Sequence, residues 1–348
     1  MYKYRVLMTS AGGALGAKNI KAMKNSFPGQ VWVMAVDIGF NLNAEILADK
    51  FITVDSGNSS NYISQICKAI KKNKINKVLP CSDEEAITLS KNKEKIESMG
   101  CELFTADYSS IKIMSNKIKT YEVLKKYNIN VPIYYEIDSL KKLDDYALNF
   151  MDSYGSFVIK EPVARGNRGT ILVDKKIDGK INYMGSREIH VGWDYYKNKI
   201  RPNIDDSFPK IITERLFSPA YDVDVLAKEG NLVHAVPRER INPAGVPYKG
   251  NIIRYNKNLI NLATKVAKAL KLSYLYDIDI MTSKDGTPVI LEVNPRPSGS
   301  CVASIETGVP LYKDLLRLYE VKVFNKSLIP KDGTTLVPFI DFNTTFSN

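Results

Sequence analysis

The stretch at residues 289–300 restricts the fold and the chemistry of this chain more than any other. It consists of Val-Ile-Leu-Glu-Val-Asn-Pro-Arg-Pro-Ser-Gly-Ser. Side chains two apart in a strand point to the same face, so Glu292 and Asn294 project together and Arg296 follows just beyond the strand. Two prolines then end the strand. The segment therefore predicts a carboxylate, an amide and a guanidinium on one face.

This combination of side chains has two interpretations. An ionised group in so apolar a strand is costly unless it is paired or bound to a metal. Mg²⁺ takes oxygen ligands and leaves positions for phosphate, and arginine holds phosphate or carboxylate with two hydrogen bonds. The face is therefore either a metal and phosphate site or a buried strand whose Glu292 and Asn294 only pair with neighbours.

A second alternating segment lies directly upstream. Residues 276–281 alternate like a strand, and Asp285-Gly286 supplies a turn of the kind that closes β-hairpins. Such a hairpin brings Asp279 near Glu292, so that two carboxylates and the Asn294 amide can hold a metal pair across phosphates. Asp279 followed, after an Asp-Gly turn, by Glu-Val-Asn-Pro-Arg resembles the metal-binding signature of the ATP-grasp family.

The first hundred residues alternate between strand and helix patterns. Apolar runs at residues 4–8, 31–36, 51–54 and 78–79 predict strands, and residues 62–72 predict an amphipathic helix. This alternation predicts a parallel, Rossmann-like sheet that ends near Asp107. The glycine turn after the first strand is an anion-binding corner or a plain tight turn, and Asp37 stands where a dinucleotide fold has its ribose acid.

The family resemblance gives this N-terminal part another role. ATP-grasp enzymes of the carbamoyl-phosphate-synthase-like kind carry such a domain, and there it does not bind a dinucleotide. The resemblance implies that its strand ends, including Gly12, Gly13 and Asp83, face the acceptor substrate.

Two lysines and a glycine turn form the expected phosphate site. Val158 and Lys160 share a strand face, so an apolar patch for a base lies beside a cation for a phosphate. The following turn holds Gly166 and Gly169, and backbone N–H groups of such turns cradle phosphate oxygens. Without a phosphate role, the segment with Lys160 and the glycine turn is a surface β-hairpin. Lys117 is then an ordinary exposed lysine. The resemblance implies that Lys117 and Lys160 bind the ATP phosphates and that the turn covers them.

Residues 211–240 complete the set of motifs. Glu214, a short hydrophobic hinge and then Asp222 on a new strand resemble the linker that binds adenine in ATP-grasp proteins. The resemblance implies backbone contacts to the base near Glu214 and Leu216 and places Asp222 at the ribose, where the family often has the longer Glu. Arg238 and Arg240 share a strand face, where either holds a transferred phosphate or a substrate carboxylate, or forms a plain surface ion pair.

Composition argues against several other classes of protein. The 348 residues carry a net charge of +11, but the excess is lysine in helical, solvated stretches, so we do not expect a nucleic-acid partner. No apolar run approaches the ~20 residues of a membrane helix, and the N-terminus does not resemble a signal peptide. Four cysteines without metal or redox spacing suit a reducing compartment, so we expect a cytoplasmic protein. With two histidines, we expect neither a histidine metal site nor a histidine catalytic dyad.

The motifs stand in ATP-grasp order between residues 115 and 300, so the chain is identified as a member of that family. The expected fold is α/β and α+β. It comprises a Rossmann-like pre-ATP-grasp domain at residues 1–110, a mobile ATP-grasp lid at 111–217, and a C-terminal ATP-grasp subdomain with the metal site at 218–348.

The resemblance also implies a function. ATP, with Mg²⁺ or Mn²⁺ on Asp279, Glu292 and Asn294, activates a small carboxylic acid as an acylphosphate that an amine then attacks. The resemblance implies that Arg296, together with Arg238 or Arg240, is catalytic and stabilises the developing charge. The roles of these arginines and of the metal ligands are predictions.

Two alternative functions stay open. One is a carbamoyl-phosphate-type or other phosphoryl transferase without an amine acceptor, and the other is a non-catalytic ATP-binding module. The expected partners are small-molecule substrates, with a homodimer as the common oligomeric state. The sequence does not indicate a role for residues 183–209.

Overall fold

The computed structural model describes residues 2–163, 169–182, 188–242, 249–325 and 329–339, which form three sheets with helices around them. The first sheet is parallel, with the order β3-β2-β1-β4-β5. Its strands are β1 (Tyr4–Met8), β2 (Val31–Asp37), β3 (Lys50–Thr53), β4 (Lys77–Leu79) and β5 (Glu102–Leu103). Its helices are α1 (Gly16–Asn25), α2 (Leu42–Leu47), α3 (Tyr62–Asn73), α4 (Asp83–Lys91), α5 (Lys93–Glu97) and α6 (Tyr108–Met114). The predicted Rossmann-like alternation is confirmed.

The central strands of this first sheet are buried because they are apolar on both sides. Val6, Leu7 and Met8 in β1 are successive buried residues, so both faces of the strand need cover. Helices such as α3, whose Ile66 and Ile70 are buried, supply that cover. Because these strands are parallel, the carboxyl ends of β1, β2 and β4 lie at the same edge of the sheet.

The second sheet lies between residues 134 and 213 and has the order β6-β11-β7-β8-β10-β9. Its pairs are antiparallel except β8 with β10, which is parallel. The strands are β6 (Tyr134–Ile137), β7 (Ser156–Lys160), β8 (Ile171–Asp174), β9 (Lys180–Ile181), β10 (Ile189–Val191) and β11 (Lys210–Thr213). The helices are α7 (Lys117–Lys126), α8 (Leu140–Tyr154) and α9 (Trp193–Tyr195), the last continuing into a π-helical turn at Tyr196–Ile200.

The third sheet is antiparallel and has the order β16-β15-β12-β13-β14-β17. Its strands are β12 (Phe217–Lys228), β13 (Asn231–Arg240), β14 (Asn251–Ile253), β15 (Tyr274–Thr282), β16 (Pro288–Asn294) and β17 (Thr335–Leu336). Its helices are α10 (Lys257–Ala269), α11 (Cys301–Glu306) and α12 (Leu311–Leu316). The predicted hairpin is confirmed as β15 and β16, with Asp279 opposite Glu292.

The apolar cores connect the first and third sheets and leave the second sheet with a core of its own. One core contains Val33 of β2, Leu226 of β12 and Leu315 of α12. Another core contains only residues between 137 and 212, among them Phe157. The domain boundaries at residues 110 and 217 stay a prediction. Among the described residues, no helix has the length and apolar character needed to cross a bilayer.

Candidate active site

Four strands of the third sheet bring charged side chains to one face. In the strand register, Arg238 of β13 is opposite Asp222, Asp222 is opposite Asp279, and Asp279 is opposite Glu292. A second row, two residues along, joins Asp224 to Asp277 and Asp277 to Asn294. Paired residues and their neighbours two positions away share a face. The alternation predicted from the sequence therefore produces a continuous polar surface.

Helix α7 adds the first lysine to this surface. The Asn116 side chain caps the helix by accepting a hydrogen bond from the Lys119 amide at 3.2 Å, which fixes the start of α7 beside β16. Lys117 is buried, and its Nζ donates to Glu292 Oε1 at 2.9 Å. Burial alone would raise the pKa of Glu292, but the Lys117 ammonium outweighs burial and the pKa is lowered. The predicted phosphate lysine and the predicted metal ligand are thus in direct contact.

Strand β7 adds the second lysine. Lys160 is 7% exposed, and its burial together with the charge of Lys117 lowers its pKa to about 8. Val158 lies two residues earlier on β7 and is half-buried, in register with Thr213. Gly169, at the end of the glycine turn, has a φ of +71°. Gly166 lies outside the described residues.

Arg240 links two carboxylates of the sheet. Its Nε donates to Asp222 Oδ1 at 2.7 Å, and its Nη2 lies 2.9 Å from Asp279 Oδ1. Burial and the neighbouring carboxylates Asp222 and Glu292 raise the pKa of Asp279 to about 6, despite the opposing effect of Arg240. Burial would raise the pKa of Asp222, but Arg240 and Arg238 lower it.

Asp222 is not placed as the sequence led us to expect. It is 2% exposed, and Arg240 engages its Oδ1 while Arg238 Nη1 lies 3.7 Å from its Oδ2. A ribose hydroxyl would have to compete with two guanidinium groups for a buried carboxylate. Asp222 therefore belongs to the charged face of the third sheet.

Arg238 also differs from the expectation. It is completely buried, and its Nε donates to Asp224 Oδ2 at 3.0 Å. Its Nη1 donates to Asn251 Oδ1 at 2.8 Å and to Ser300 Oγ at 3.0 Å. A side chain so enclosed does not reach a substrate, so of the two candidate arginines Arg240 is the one beside the open face.

Arg296 connects the third sheet to the first. Its Nε donates to Asp83 Oδ1 at 3.1 Å, and Asp83 begins α4 at the carboxyl end of β4. Its Nη2 donates to Asn294 Oδ1 at 3.4 Å, and its Nη1 lies 3.6 Å from Asp277 Oδ2. The guanidinium is therefore positioned from two sheets at once.

The first sheet presents polar groups at the same edge. The Glu85 carboxylate accepts hydrogen bonds from the hydroxyls of Ser10 at 2.8 Å and Ser82 at 2.7 Å. The Gly12 amide donates to Asp37 Oδ2 at 2.7 Å, so Asp37 ties the glycine turn to β2. Gly13 follows in the same turn. A substrate role for this edge stays a prediction.

The linker between the second and third sheets contains the residues expected at adenine. Glu214 Oε1 accepts from the Ile133 amide at 2.9 Å, and the Glu214 amide donates to Ile133 O at 2.9 Å. Leu216 is buried. Arg215, which lies between Glu214 and Leu216 in the sequence, forms an ion pair with Asp174 of β8. These contacts hold the linker against the second sheet, and the adenine role stays a prediction.

Two acids of the face were missed by sequence reasoning. Asp277 accepts a hydrogen bond from Asn294 Nδ2 at 3.1 Å, and Asp224 accepts from Ser304 Oγ at 2.5 Å. The sequence signal was present, because Asp222-Val-Asp224 and Asp277-Ile-Asp279 repeat the same alternation. Asp224 Oδ1 and Asp277 Oδ1 are buried without a hydrogen-bond partner among the described residues.

The donor set suits a hard divalent cation. Asp279, Glu292 and Asn294 offer only oxygen atoms, which Mg²⁺ and Mn²⁺ prefer. Several buried carboxylate oxygens of this face also lack a hydrogen bond, and a bound cation would compensate their negative charge. The residues present therefore fit the predicted metal.

The sequence matches two family models. Residues 207–332 match the family described as ATP-grasp in the biosynthetic pathway with Ter operon. Residues 6–104 match the family described as PylC-like, N-terminal domain. No protein of curated function has a sequence that matches this chain.

Several solved structures share the fold. An N5-carboxyaminoimidazole synthetase from Staphylococcus aureus complexed with ADP has a TM-score of 0.65 at 14% identity, over 91% of this chain and 77% of that one. An L-amino acid ligase from Bacillus licheniformis has a TM-score of 0.64 at 15% identity, over 95% and 76%. The biotin carboxylase domain of a Hydrogenobacter thermophilus 2-oxoglutarate carboxylase has a TM-score of 0.67 at 15% identity, over 93% and 71%.

Residues 207–332 are of the ATP-grasp type, and the chain as a whole shares the fold of these solved structures. The expected resemblance to the ATP-grasp superfamily is confirmed by the match at residues 207–332 and by the fold of the whole chain. Residues 6–104 are similar to the PylC-like N-terminal domain.

Proposed function

We propose that the chain is an ATP-dependent carboxylate–amine ligase. It activates a small carboxylic acid as an acylphosphate, which an amine then attacks with release of ADP and phosphate. The observation that carries the proposal is that two lysines and an arginine border the oxygen donors of one sheet face, namely Lys117, Lys160, Arg296, Asp279, Glu292 and Asn294. The names of the similar structures, which include a synthetase with ADP and an L-amino acid ligase, support the same reaction class.

ATP binds between the second and third sheets in this proposal. Lys117 and Lys160 contact the phosphates, and the turn that ends at Gly169 covers them. Val158 packs on the base, with backbone groups of Glu214 and Leu216 at its edge. Asp222 is left out of the ribose site because it is buried and its carboxylate already accepts a hydrogen bond from Arg240.

The metal ligands of the proposal are Asp279, Glu292 and Asn294. Mg²⁺ or Mn²⁺, when bound there, supplies positive charge that offsets the repulsion between phosphate and carboxylate. In its absence Lys117 pairs with Glu292, and Arg240 is shared between Asp222 and Asp279. These two cations hold the carboxylates in place.

The arginines act on the charge that develops during transfer. One carboxylate oxygen of the acid forms a bond to the γ-phosphorus while the bond from that phosphorus to ADP breaks. The amine then bonds to the acyl carbon, the carbon–oxygen bond to phosphate breaks, and the amine loses a proton. Arg296 and Arg240, which border the open face, stabilise the phosphoryl oxygens in both steps. Arg238 supports Asp224 and takes no direct part.

The cellular setting and assembly are part of the proposal. The free thiols of Cys67, Cys81, Cys101 and Cys301 suit a reducing compartment, so we assign the protein to the cytoplasm. It acts on small molecules, without nucleic acid, as a homodimer.

ADP release tests the proposed function. Purified protein is incubated with Mg·ATP and a panel of carboxylic acids and amines, singly and in pairs. We expect release that requires one acid and one amine together, that is lost in Glu292→Gln and that is retained in Glu122→Gln, an exposed site on α7. Release with an acid alone would favour the phosphoryl transferase. ATP binding without release under any pair would favour the binding module, and failure to bind ATP would contradict both.

A further inference from the structure

Three aspartates form a compact cluster that includes the predicted metal ligand Asp279. One carboxylate oxygen from each of Asp222, Asp277 and Asp279 lies within 4.8 Å of the other two. Asp222 and Asp279 are opposite each other in the register of β12 and β15, and Asp277 lies two residues from Asp279 on the same face. The sheet itself therefore fixes this cluster.

The surroundings leave the cluster with excess negative charge. Four buried or half-buried carboxylates meet here, those of Asp222, Asp224, Asp277 and Asp279. Arg238 pairs with Asp224, and Arg240 pairs with Asp222 and Asp279, whereas Arg296 is shared between Asp83 at 3.1 Å and Asp277 at 3.6 Å. With Asp83 included, five carboxylates face three guanidinium groups, so the formal balance of the ionised groups is two negative charges. Uncompensated charge at such a position is costly, and a bound divalent cation removes the cost.

One oxygen of the cluster lacks any partner. Asp277 is 4% exposed, and its Oδ1 is buried without a hydrogen-bond partner among the described residues. Its Oδ2 accepts from the Asn294 amide at 3.1 Å, so the carboxylate is held in orientation while Oδ1 stays unsatisfied. Buried carboxylate oxygens are almost always satisfied by a donor or a cation.

The aspartates retain oxygen atoms for a ligand despite Arg240. The guanidinium contacts Oδ1 of Asp222 and Oδ1 of Asp279. The second oxygen of Asp222 has Arg238 as its neighbour only at 3.7 Å. The three residues still offer one carboxylate oxygen each within 4.8 Å of the others, and hard oxygen donors of this kind suit a Mg²⁺ or Mn²⁺ site completed by waters.

We propose that Asp222, Asp277 and Asp279 form a divalent-cation site that fills without nucleotide; it shares Asp279 with the nucleotide-linked site but uses neither Glu292 nor Asn294. It differs from the nucleotide-linked site because Lys117 neutralises Glu292 in the nucleotide-free chain, whereas no described side chain donates a hydrogen bond to Asp277 Oδ1. The cation stabilises the buried face of the third sheet. This inference stands whether or not the chain is a ligase.

A proton on Asp277 is the competing explanation. Burial, together with the charges of Asp279, Asp222 and Asp224, raises its pKa well above the ordinary value. A protonated carboxyl would satisfy the same oxygen by donating to a neighbouring aspartate. Asparagine at the position mimics this neutral group, so the Asp277→Asn variant separates the two explanations.

The test measures Mn²⁺ binding to nucleotide-free protein by the loss of the free-ion electron paramagnetic resonance signal. We expect one bound ion in the parent protein and at least about tenfold weaker binding in Asp277→Asn, since a ligand is lost. Glu292→Gln should change the affinity by less than about threefold, which corresponds to well under 1.4 kcal/mol. Asp224→Asn removes the same charge from the same surface without touching the triad, and should also have a small effect.

Several results would overturn the site. They are no binding to the parent protein at millimolar Mn²⁺, unchanged binding in Asp277→Asn, or equal losses in Asp277→Asn and Asp224→Asn. Loss of the ion in Glu292→Gln would move it to the nucleotide-linked site and also contradict the proposal. If Asp277→Asn lacks a cooperative unfolding transition, Asp222→Asn takes its place, because it removes another corner of the same triad.

Discussion

The two buried lysines differ in how their charges are compensated. Lys117 has the Glu292 carboxylate at 2.9 Å, whereas burial and the nearby Lys117 charge lower the pKa of Lys160 to about 8. Between pH 8 and the ordinary lysine pKa of 10.5, the unfolded chain therefore binds more protons at Lys160 than the folded chain. The contribution of this residue to the free energy of unfolding rises with pH across that window. The charged form of Lys160 therefore destabilises the folded chain, and the predicted phosphate contact would offset this cost.

Binding of ATP should therefore take up a proton at Lys160. Phosphate restores the charged ammonium, so at about pH 9, above the pKa of about 8, up to one proton is absorbed, and ATP affinity falls as the pH rises beyond 8. Isothermal titration calorimetry in two buffers with different heats of ionisation measures the uptake. The Lys160→Met variant should lose it. Equal proton uptake by both proteins would contradict a phosphate contact at this residue.

Helix α1 depends on a close approach at its first residue. Gly16 begins the helix, and a Cβ at this position would lie 1.9 Å from the backbone oxygen of Ala11. Gly13, in the same turn, would place its Cβ no nearer than 3.8 Å from Ser10 O. The two glycines look alike in the sequence, but only Gly16 lies where the backbone leaves no room for a side chain.

Alanine substitutions should separate these two glycines. Gly16→Ala forces the turn after β1 to move, and we expect a loss of about 2 kcal/mol in the free energy of unfolding. Gly13→Ala is the matched control and should change stability by less than about 0.5 kcal/mol. Urea denaturation measures both. Similar stabilities for the two variants would show that the turn after β1 is not tightly packed at Gly16.

Some elements and contacts could be predicted from the sequence, and others could not. The hairpin of β15 and β16 was predictable because its alternation and the Asp285-Gly286 turn are local signals. The enclosure of Arg238 was not, because Asp224, Asn251 and Ser300 surround it only when β12, β14 and α11 pack together. Alternation shows which residues share a face, but the partners that close over that face come from distant parts of the chain.

At the scale of the whole molecule, the second sheet has an apolar core of its own, and a small cluster of Ile118, Tyr121 and Ile211 joins it to α7. Its core contains only residues between 137 and 212, while the first and third sheets share one larger core. The only two tryptophans fall on either side of this division. Trp32 lies in β2 beneath Arg5, 4.0 Å from the ring centroid, and Trp193 stacks on Tyr196 in the second sheet at 5.6 Å.

Single-tryptophan variants should report two unfolding transitions. In Trp193→Phe, Trp32 reports on the first sheet, and in Trp32→Phe, Trp193 reports on the second. We expect a lower urea midpoint for Trp193, because a small separate core opens at lower cost than a shared one. Fluorescence during urea titration measures both midpoints, with far-ultraviolet circular dichroism as the check on each variant. Coincident midpoints would mean that the second sheet unfolds together with the rest and is not an independent lid.

The central claim is that a carboxylate is activated by phosphorylation and then captured by an amine. Its most direct test follows ¹⁸O from the carboxylic acid that supports ADP release. In an acylphosphate pathway one carboxylate oxygen stays on phosphorus when the amine displaces phosphate, so mass spectrometry should find one ¹⁸O in each released phosphate. Phosphate without ¹⁸O, formed while ADP and the amide accumulate, would contradict the account.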